Sequence, residues 1–190
     1  QFVLGDRIRT GKAFQHFLDD MRGAVGICAP VELPLASVTT IAGLCPDVAF
    51  ELFAFGRLPL ALSGRCYHAR IHGLHKDSCQ FICDRDPDGL AVDTLDGQKF
   101  LAVNGIQTMS HGVTAFCPTA EEARAAGLAR LRLSPHTFDM TAVAATFRRR
   151  LAGAIDRAEA HAALKALGLP GELVDGFTRG VAGSALAESA

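Results

Sequence analysis

Three cysteines and three histidines fall within 18 consecutive residues, out of six cysteines and seven histidines in the whole chain. The stretch reads Ser63-Gly-Arg-Cys66-Tyr-His68-Ala-Arg-Ile-His72-Gly-Leu-His75-Lys-Asp-Ser-Cys79-Gln-Phe-Ile-Cys83. Thiolates gathered by a short, turn-rich segment bind soft metals and iron–sulfur clusters. Cys79 and Cys83 are four residues apart, so one helical turn would set both sulfurs on one face. Gly73 gives the chain a place to bend back toward Cys66. The plainer reading is three buried thiols, because free cysteine is among the most buried residue types. Arg65, Arg70, Lys76 and Asp77 make a poor apolar surrounding for that. The spacing Cys-x12-Cys-x3-Cys departs from the paired cysteines of zinc fingers. It suits an iron–sulfur cluster better, with three of the expected four ligands in view. A Cys3His zinc site, completed by His68, His72 or His75, is the alternative.

The flanking sequence supplies elements that can position this segment. Residues 1–5 read as a short buried strand, and residues 12–21 as a helix with Ala13, Phe14, Phe17 and Leu18 on one face. A second strand covers residues 24–28, a helix residues 36–44, and a third strand residues 49–55. Strand, helix, strand in alternation predicts parallel pairing through βα units. After the cysteines, residues 90–103 read as a hairpin turning at Leu95-Asp96-Gly97-Gln98, whose Asp-Gly accepts positive φ. Residues 110–118 read as a polar loop. Thr119 and Glu122 form a capping box for a helix that Gly127 stops. A strand over residues 130–133 follows, then a helix over 140–155 capped by Asp139, and another over 158–167. The expected fold class is α/β: a partial (β/α) TIM-type barrel with an inserted cysteine-rich segment, residues 63–83, and a β-hairpin. On such a fold, function gathers where strands end. Glu32, Gly56, Arg57, Asn104, Gln107 and Ser134 to His136 would share that face.

Composition narrows the function. The 190 residues are 49% hydrophobic and 21% charged, as in an ordinary globular domain, and no internal repeat or linker divides them. A net charge of −1 argues against a nucleic-acid footprint. The run Arg148-Arg149-Arg150 reads as a solvated helix end. No apolar stretch reaches the roughly 18 residues of a membrane span. Cysteines without framework spacing point to a reducing, cytoplasmic setting.

Several stretches, in order, resemble one known family. They are Pro30-Val-Glu-Leu-Pro, Glu51-Leu-Phe-Ala-Phe-Gly-Arg-Leu-Pro-Leu-Ala, Ser63-Gly-Arg-Cys66, Lys76-Asp-Ser-Cys79, Asn104-Gly-Ile-Gln-Thr-Met-Ser110 and Arg132-Leu-Ser-Pro135. Together they resemble the UbiU/UbiV group of the collagenase-like peptidase family, over residues 5–183. The family signature Glu-x-Phe-x-x-Gly, continued by a cysteine and then Gly-x-Cys, is matched by Glu51, Phe53, Gly56, Gly64 and Cys66. Pro59 stands where the first cysteine of that signature would be, which resembles the UbiV type. The resemblance implies a [4Fe–4S] cluster with Cys66, Cys79 and Cys83 as ligands. It implies a fourth ligand in an upstream part outside these residues, since 190 residues fall short of the ~250 of a complete barrel. Cys28 and Cys45 are expected in the core, while nothing in the spacing of Cys117 demands a metal. The resemblance further implies a heterodimer with UbiU, a prenylated aromatic substrate, a lipid-binding accessory protein and a role in oxygen-independent ubiquinone hydroxylation. A peptidase is the alternative from the wider family. It lacks support from any Gly-x-Ser-x-Gly or His-Glu-x-x-His motif.

Overall fold

The computed structural model describes residues 2–4, 24–75 and 79–187. Its centre is an eight-stranded sheet: β1 (Phe2–Leu4), β2 (Ala24–Cys28), β3 (Ala49–Leu62), β4 (Leu90–Asp93), β5 (Lys99–Asn104), β6 (Gln107–Ala115), β7 (Leu128–Leu133) and β8 (Leu173–Val174). The order β1-β2-β3-β6-β5-β4 forms the main path, with β7 on β3 and β8 on β6. The helices are α1 (Leu35–Leu44), α2 (Tyr67–Ile71), α3 (Ala120–Ala125), α4 (Met140–Leu151), α5 (Arg157–Lys165) and α6 (Gly176–Arg179), with a 3₁₀ turn at Ile82–Arg85. No described helix is long and apolar enough to cross a membrane. The expected helix over residues 12–21 lies outside the described residues.

β3 joins two differently paired halves of this sheet in one strand. Its first half runs parallel to β2 on one edge and to β7 on the other. Its second half runs antiparallel to β6, which continues through β5 to β4. The parallel βα expectation therefore holds for the first half, and the mixed α/β class with it. The sheet does not close, so the TIM-type barrel is not established: the antiparallel strands extend the path rather than curving it onto β1.

Burial explains why these strands form. Ile27, Phe50, Leu52 and Leu128 pack against Val38 and Ala42 of α1 and Ala123 of α3. Phe55, Val113 and Ala115 pack against Val143 and Phe147 of α4 and Ala160 and Leu164 of α5. Phe55 meets Phe138 and Phe147 edge-on, with centroids 6.0 Å apart in both pairs. Each such side chain contributes about 1.5–3 kcal/mol on burial. The helices start where their caps predict. Thr119 with Glu122 and Asp156 with Glu159 form reciprocal capping boxes, and Asp139 accepts two backbone N–H groups of α4.

Two expectations change here. β3 runs on to Leu62 instead of stopping near Phe55, because Gly56 takes a φ of +120° and Pro59 falls at an irregularity in the ladder with β6. The segment expected as a polar loop, residues 110–118, is mostly strand β6. Val113, Ala115, Phe116 and Cys117 are fully buried in it, and Arg57 satisfies its polar start.

Candidate functional site

β3 delivers the chain from the parallel sheet to the cysteines. Beyond Leu62, the Ser63 N–H donates to Ile106 O and the Tyr67 N–H to Gly105 O, both at 2.8 Å. The thiol segment is thus laid along the turn between β5 and β6. Cys66 sits at the N-cap of α2, and its Sγ accepts the Ala69 N–H at 3.4 Å. α2 ends in a turn where Gly73 takes a φ of +65°, the bend that the sequence predicts. On the far side of the turn, Asn104 Nδ2 donates to Cys83 O at 3.3 Å and to Asp86 O at 2.7 Å. A Cβ on Gly105 would lie 3.9 Å from Cys83 Sγ. The chain beside Cys66 and the Cys83 residue are therefore held at the same turn, Tyr67 on Gly105 and Cys83 against Asn104 and Gly105.

His68 locks this arrangement and is fully buried. Its Nδ1 accepts the Gly105 N–H at 3.1 Å, which leaves the proton on Nε2 to donate to Asp86 Oδ2, also at 3.1 Å. Both ring nitrogens are used, so His68 is removed from the candidate metal ligands. His72 and His75 are exposed.

All six cysteines are reduced, and they divide into two groups. Cys28, Cys45 and Cys117 are buried, and burial pushes the Cys117 thiol up to about 12. Cys66 and Cys83 are half-buried and Cys79 is exposed. The expected helical turn carrying Cys79 and Cys83 is not formed. Phe81 between them adopts the left-handed conformation, φ 52° and ψ 30°, and the 3₁₀ turn begins only at Ile82. Positive φ is uncommon for a bulky residue, and 70% of Phe81 is exposed, so no packing explains it. The chemistry of three reduced, accessible thiols fits an iron–sulfur cluster. Their placement fits it only in part, because among the described residues no three His, Cys, Asp or Glu side chains are gathered as a metal set.

A second group forms at the end of β7, and the expectation of shared strand ends is met there for part of the set. A Cβ on Gly56 would lie 2.6 Å from Ser134 Cβ and 3.3 Å from His136 Nε2, so only glycine allows this approach. His136 Nε2 accepts the Arg57 N–H at 3.4 Å, and its Nδ1 donates to Asp88 Oδ1 at 3.1 Å. Burial pulls the His136 pKa down against the pull of Asp88. Arg57 is buried and donates to Ser110 O, His111 O and Pro170 O. Asn104 belongs to the thiol segment instead, Gln107 pairs with Leu62, and Glu32 is exposed in the turn before α1. The His136–Asp88 pair has the look of a catalytic base with its orienting carboxylate. Its Nε2 is occupied by the backbone of Arg57, however, so it is not free to take a proton from a nucleophile.

The model of peptidase family U32 matches residues 8–181. The chain belongs to peptidase family U32. This supports the collagenase-like peptidase family that the motifs resemble. No solved structure matches the chain. In this U32 domain the signature residues Glu51, Phe53 and Gly56 lie along β3, and Gly64 and Cys66 lie just beyond it. Glu51 reaches the Arg132 guanidinium at 3.4 Å, and that guanidinium also lies 5.6 Å from the Phe53 ring centroid. Sequence reasoning named His68 only as a possible metal ligand, missing its anchoring role, and missed Asp86 altogether. The signal was present as a histidine two residues after Cys66 and an aspartate three after Cys83, but their pairing is non-local.

Proposed function

We propose that this U32 member is an iron–sulfur protein of the UbiV type, with Cys66, Cys79 and Cys83 as cluster ligands. Its role on this reading is to partner a UbiU-type protein in oxygen-independent hydroxylation of a prenylated aromatic precursor of ubiquinone. The observation that carries the reading is the division of the cysteines. Thiols that serve packing are buried, as Cys28, Cys45 and Cys117 are, whereas the three in residues 63–83 are half-buried or exposed, with the chain at Cys66 and Cys83 held on one turn. The left-handed Phe81 adds support, since strained backbone persists where something outside local packing fixes it. A bound cluster would supply one-electron transfer, its potential set by exposure and by hydrogen bonds to sulfur. The Ala69 N–H on Cys66 Sγ is one such bond.

The test is iron and acid-labile sulfide content after anaerobic reconstitution, with the absorption spectrum. Iron and sulfide should load onto the wild type and onto Cys45→Ala, and be lost in Cys66→Ala, Cys79→Ala and Cys83→Ala. Air should bleach the loaded protein. Zinc without sulfide would replace this reading by a Cys3His site using His72 or His75. Iron retained in all three variants would remove the ligand assignment.

The family's name favours a second reading, peptidase activity. It predicts casein hydrolysis that survives Cys66→Ala. The occupied Nε2 of His136 weighs against it.

A further inference from the structure

We propose that the cavity between the antiparallel half of the sheet and α6 binds a small aromatic molecule carrying a hydroxyl group, with His111 as the hydrogen-bond partner of that hydroxyl. The cavity is about 440 Å³, within the range of small-molecule sites. Its floor is the end of β3 with β5 and β6, and its wall is β8, α6 and the chain at Gly183 and Ser184. Every residue lining it is a described one. This part of the sheet borders neither β1 nor the outer edge of β7. Two close approaches seat the wall on the floor. A Cβ on Gly112 would lie 2.8 Å from Val174 Cγ1, and one on Gly183 would lie 2.5 Å from the Phe177 ring. Arg57 ties the two sides together, donating to Ser110 O and His111 O on the floor and to Pro170 O ahead of the wall. The inference goes beyond the cluster reading and does not rest on it, since no thiol lines the cavity.

The lining side chains choose the ligand. Leu60 and Phe100 are exposed and Phe177 is half-buried, so a flat apolar ring would bury surface against them, with two aromatic rings to pack on. Most polar groups are already spent. Ser110 Oγ accepts the Leu58 N–H and donates to Gly112 O, and Lys99 is held by Asp93 at 2.8 Å. The His111 ring is not spent: its Nδ1 is buried without a partner among the described residues. Burial lowers the His111 pKa first, and the positive charges of Arg57 and Lys99 lower it further against Asp93 and Glu172, so the ring is neutral at neutral pH. A neutral imidazole offers one donor and one acceptor, and a hydroxyl can answer either. A carboxylate is a poorer match, because Lys99, the cation in the lining, is already paired. A plain hydrocarbon would cover the ring and leave its nitrogens unpaired, which costs affinity.

The fluorescence of 2-naphthol tests this on the whole chain before any iron is added, and the chain has no tryptophan and one tyrosine to interfere. The control is 2-methylnaphthalene, which has the same rings with a methyl group in place of the hydroxyl. A merely apolar cleft would favour the methyl compound, the more hydrophobic of the two. The proposal expects saturable binding with 2-naphthol about fivefold the tighter, the net worth of one neutral hydrogen bond. His111→Phe should reverse that preference while leaving the methyl compound bound. Phe100→Ser alters only an exposed side chain and should weaken both compounds about threefold. No saturable binding, a tighter methyl compound in the wild type, a preference for the hydroxyl that survives His111→Phe, or indifference to Phe100→Ser would each overturn the proposal. Because iron is absent throughout, failure here leaves the cluster reading standing, and a chain that never takes up iron leaves this one standing.

Discussion

Replacing His68 with alanine tests whether one imidazole holds the thiol segment in place. The ring is fully buried and spends both nitrogens, on the Gly105 N–H and on Asp86 Oδ2. Its removal strands the Gly105 N–H, at about 1–3 kcal/mol for a buried unsatisfied donor. It also forfeits a hydrogen bond to a carboxylate, worth about 1.5–3 kcal/mol and discounted here because Asp86 is 30% exposed and can rehydrate. The emptied ring volume adds a cavity cost of about 1–2 kcal/mol. Together these give about 3–5 kcal/mol, or roughly 6–20 °C in melting temperature for a chain of this size. The loss can also be expressed locally, as opening of residues 63–86 without global unfolding. Two assays therefore run side by side: urea denaturation followed by circular dichroism, and anaerobic thiol titration resolving Cys66 and Cys83. His68→Asn keeps an acceptor near the Nδ1 position and should recover part of the loss. An alanine variant within about 1 kcal/mol of wild type, with unchanged reactivity at both thiols, refutes the argument, because neither the segment nor the fold would then depend on the ring.

Three further outcomes are expected. Gly56→Ala should cost at least about 2 kcal/mol more than Gly97→Ala in urea denaturation, since both have positive φ but only Gly56 meets Ser134 Cβ at 2.6 Å. Equal costs would show that the backbone at Gly56 can withdraw. Cys117 keeps its proton in the native state up to about 12, while an unfolded thiol loses it near 8.5. Stability should therefore fall as pH rises through that window, by at most about 1.4 kcal/mol per pH unit, and Cys117→Ala should flatten the alkaline slope. At the acid side, burial depresses His136 and His161, so the native state resists the protons that the unfolded chain accepts. Stability present above the ordinary histidine value should drain away as pH falls below about 6.5, and His136→Asn should make that limb shallower.

The local signals in the sequence were legible and the non-local ones were not. The helices over residues 120–125, 140–151 and 157–165 stand close to where periodicity put them, because capping residues such as Thr119 and Asp139 act within one turn. The hairpin around Asp96-Gly97 follows for the same reason. β6 was illegible because Ser110, His111 and Gly112 look like loop residues until Arg57, some fifty positions away, binds the carbonyls of Ser110 and His111 and the Ser110 hydroxyl binds that of Gly112. The end of β3 was misplaced because glycine and proline ordinarily punctuate a strand, while here an irregular ladder absorbs both. Of the candidate site, the exposure of Cys66, Cys79 and Cys83 agrees with their polar neighbours. The shape of residues 79–83 does not follow from the four-residue spacing, since Phe81 breaks the helix that spacing suggests.

The U32 signature makes physical sense once it is laid along β3. Glu51 meets Arg132 across the neighbouring strand and Phe53 lies beneath the same guanidinium, so the first part of the signature fastens β3 to β7. Gly56 then lets β3 pass against Ser134 and His136, where any side chain would force the strands apart. Arg57 reaches sideways to the carbonyls of Ser110 and His111 and so secures β6. With both neighbours fixed, the strand can run on along β6 as far as Leu62 and bring Gly64 and Cys66 to the β5–β6 turn. The spacing from Glu51 to Cys66 is thus the run of one strand that begins between parallel neighbours, ends at Leu62, and is followed four residues later by a thiol. A change in the exposed part of that spacing, after Leu58, would spare the buried half of β3 and move the sulfur, which ties the thiol and the strand into one signature.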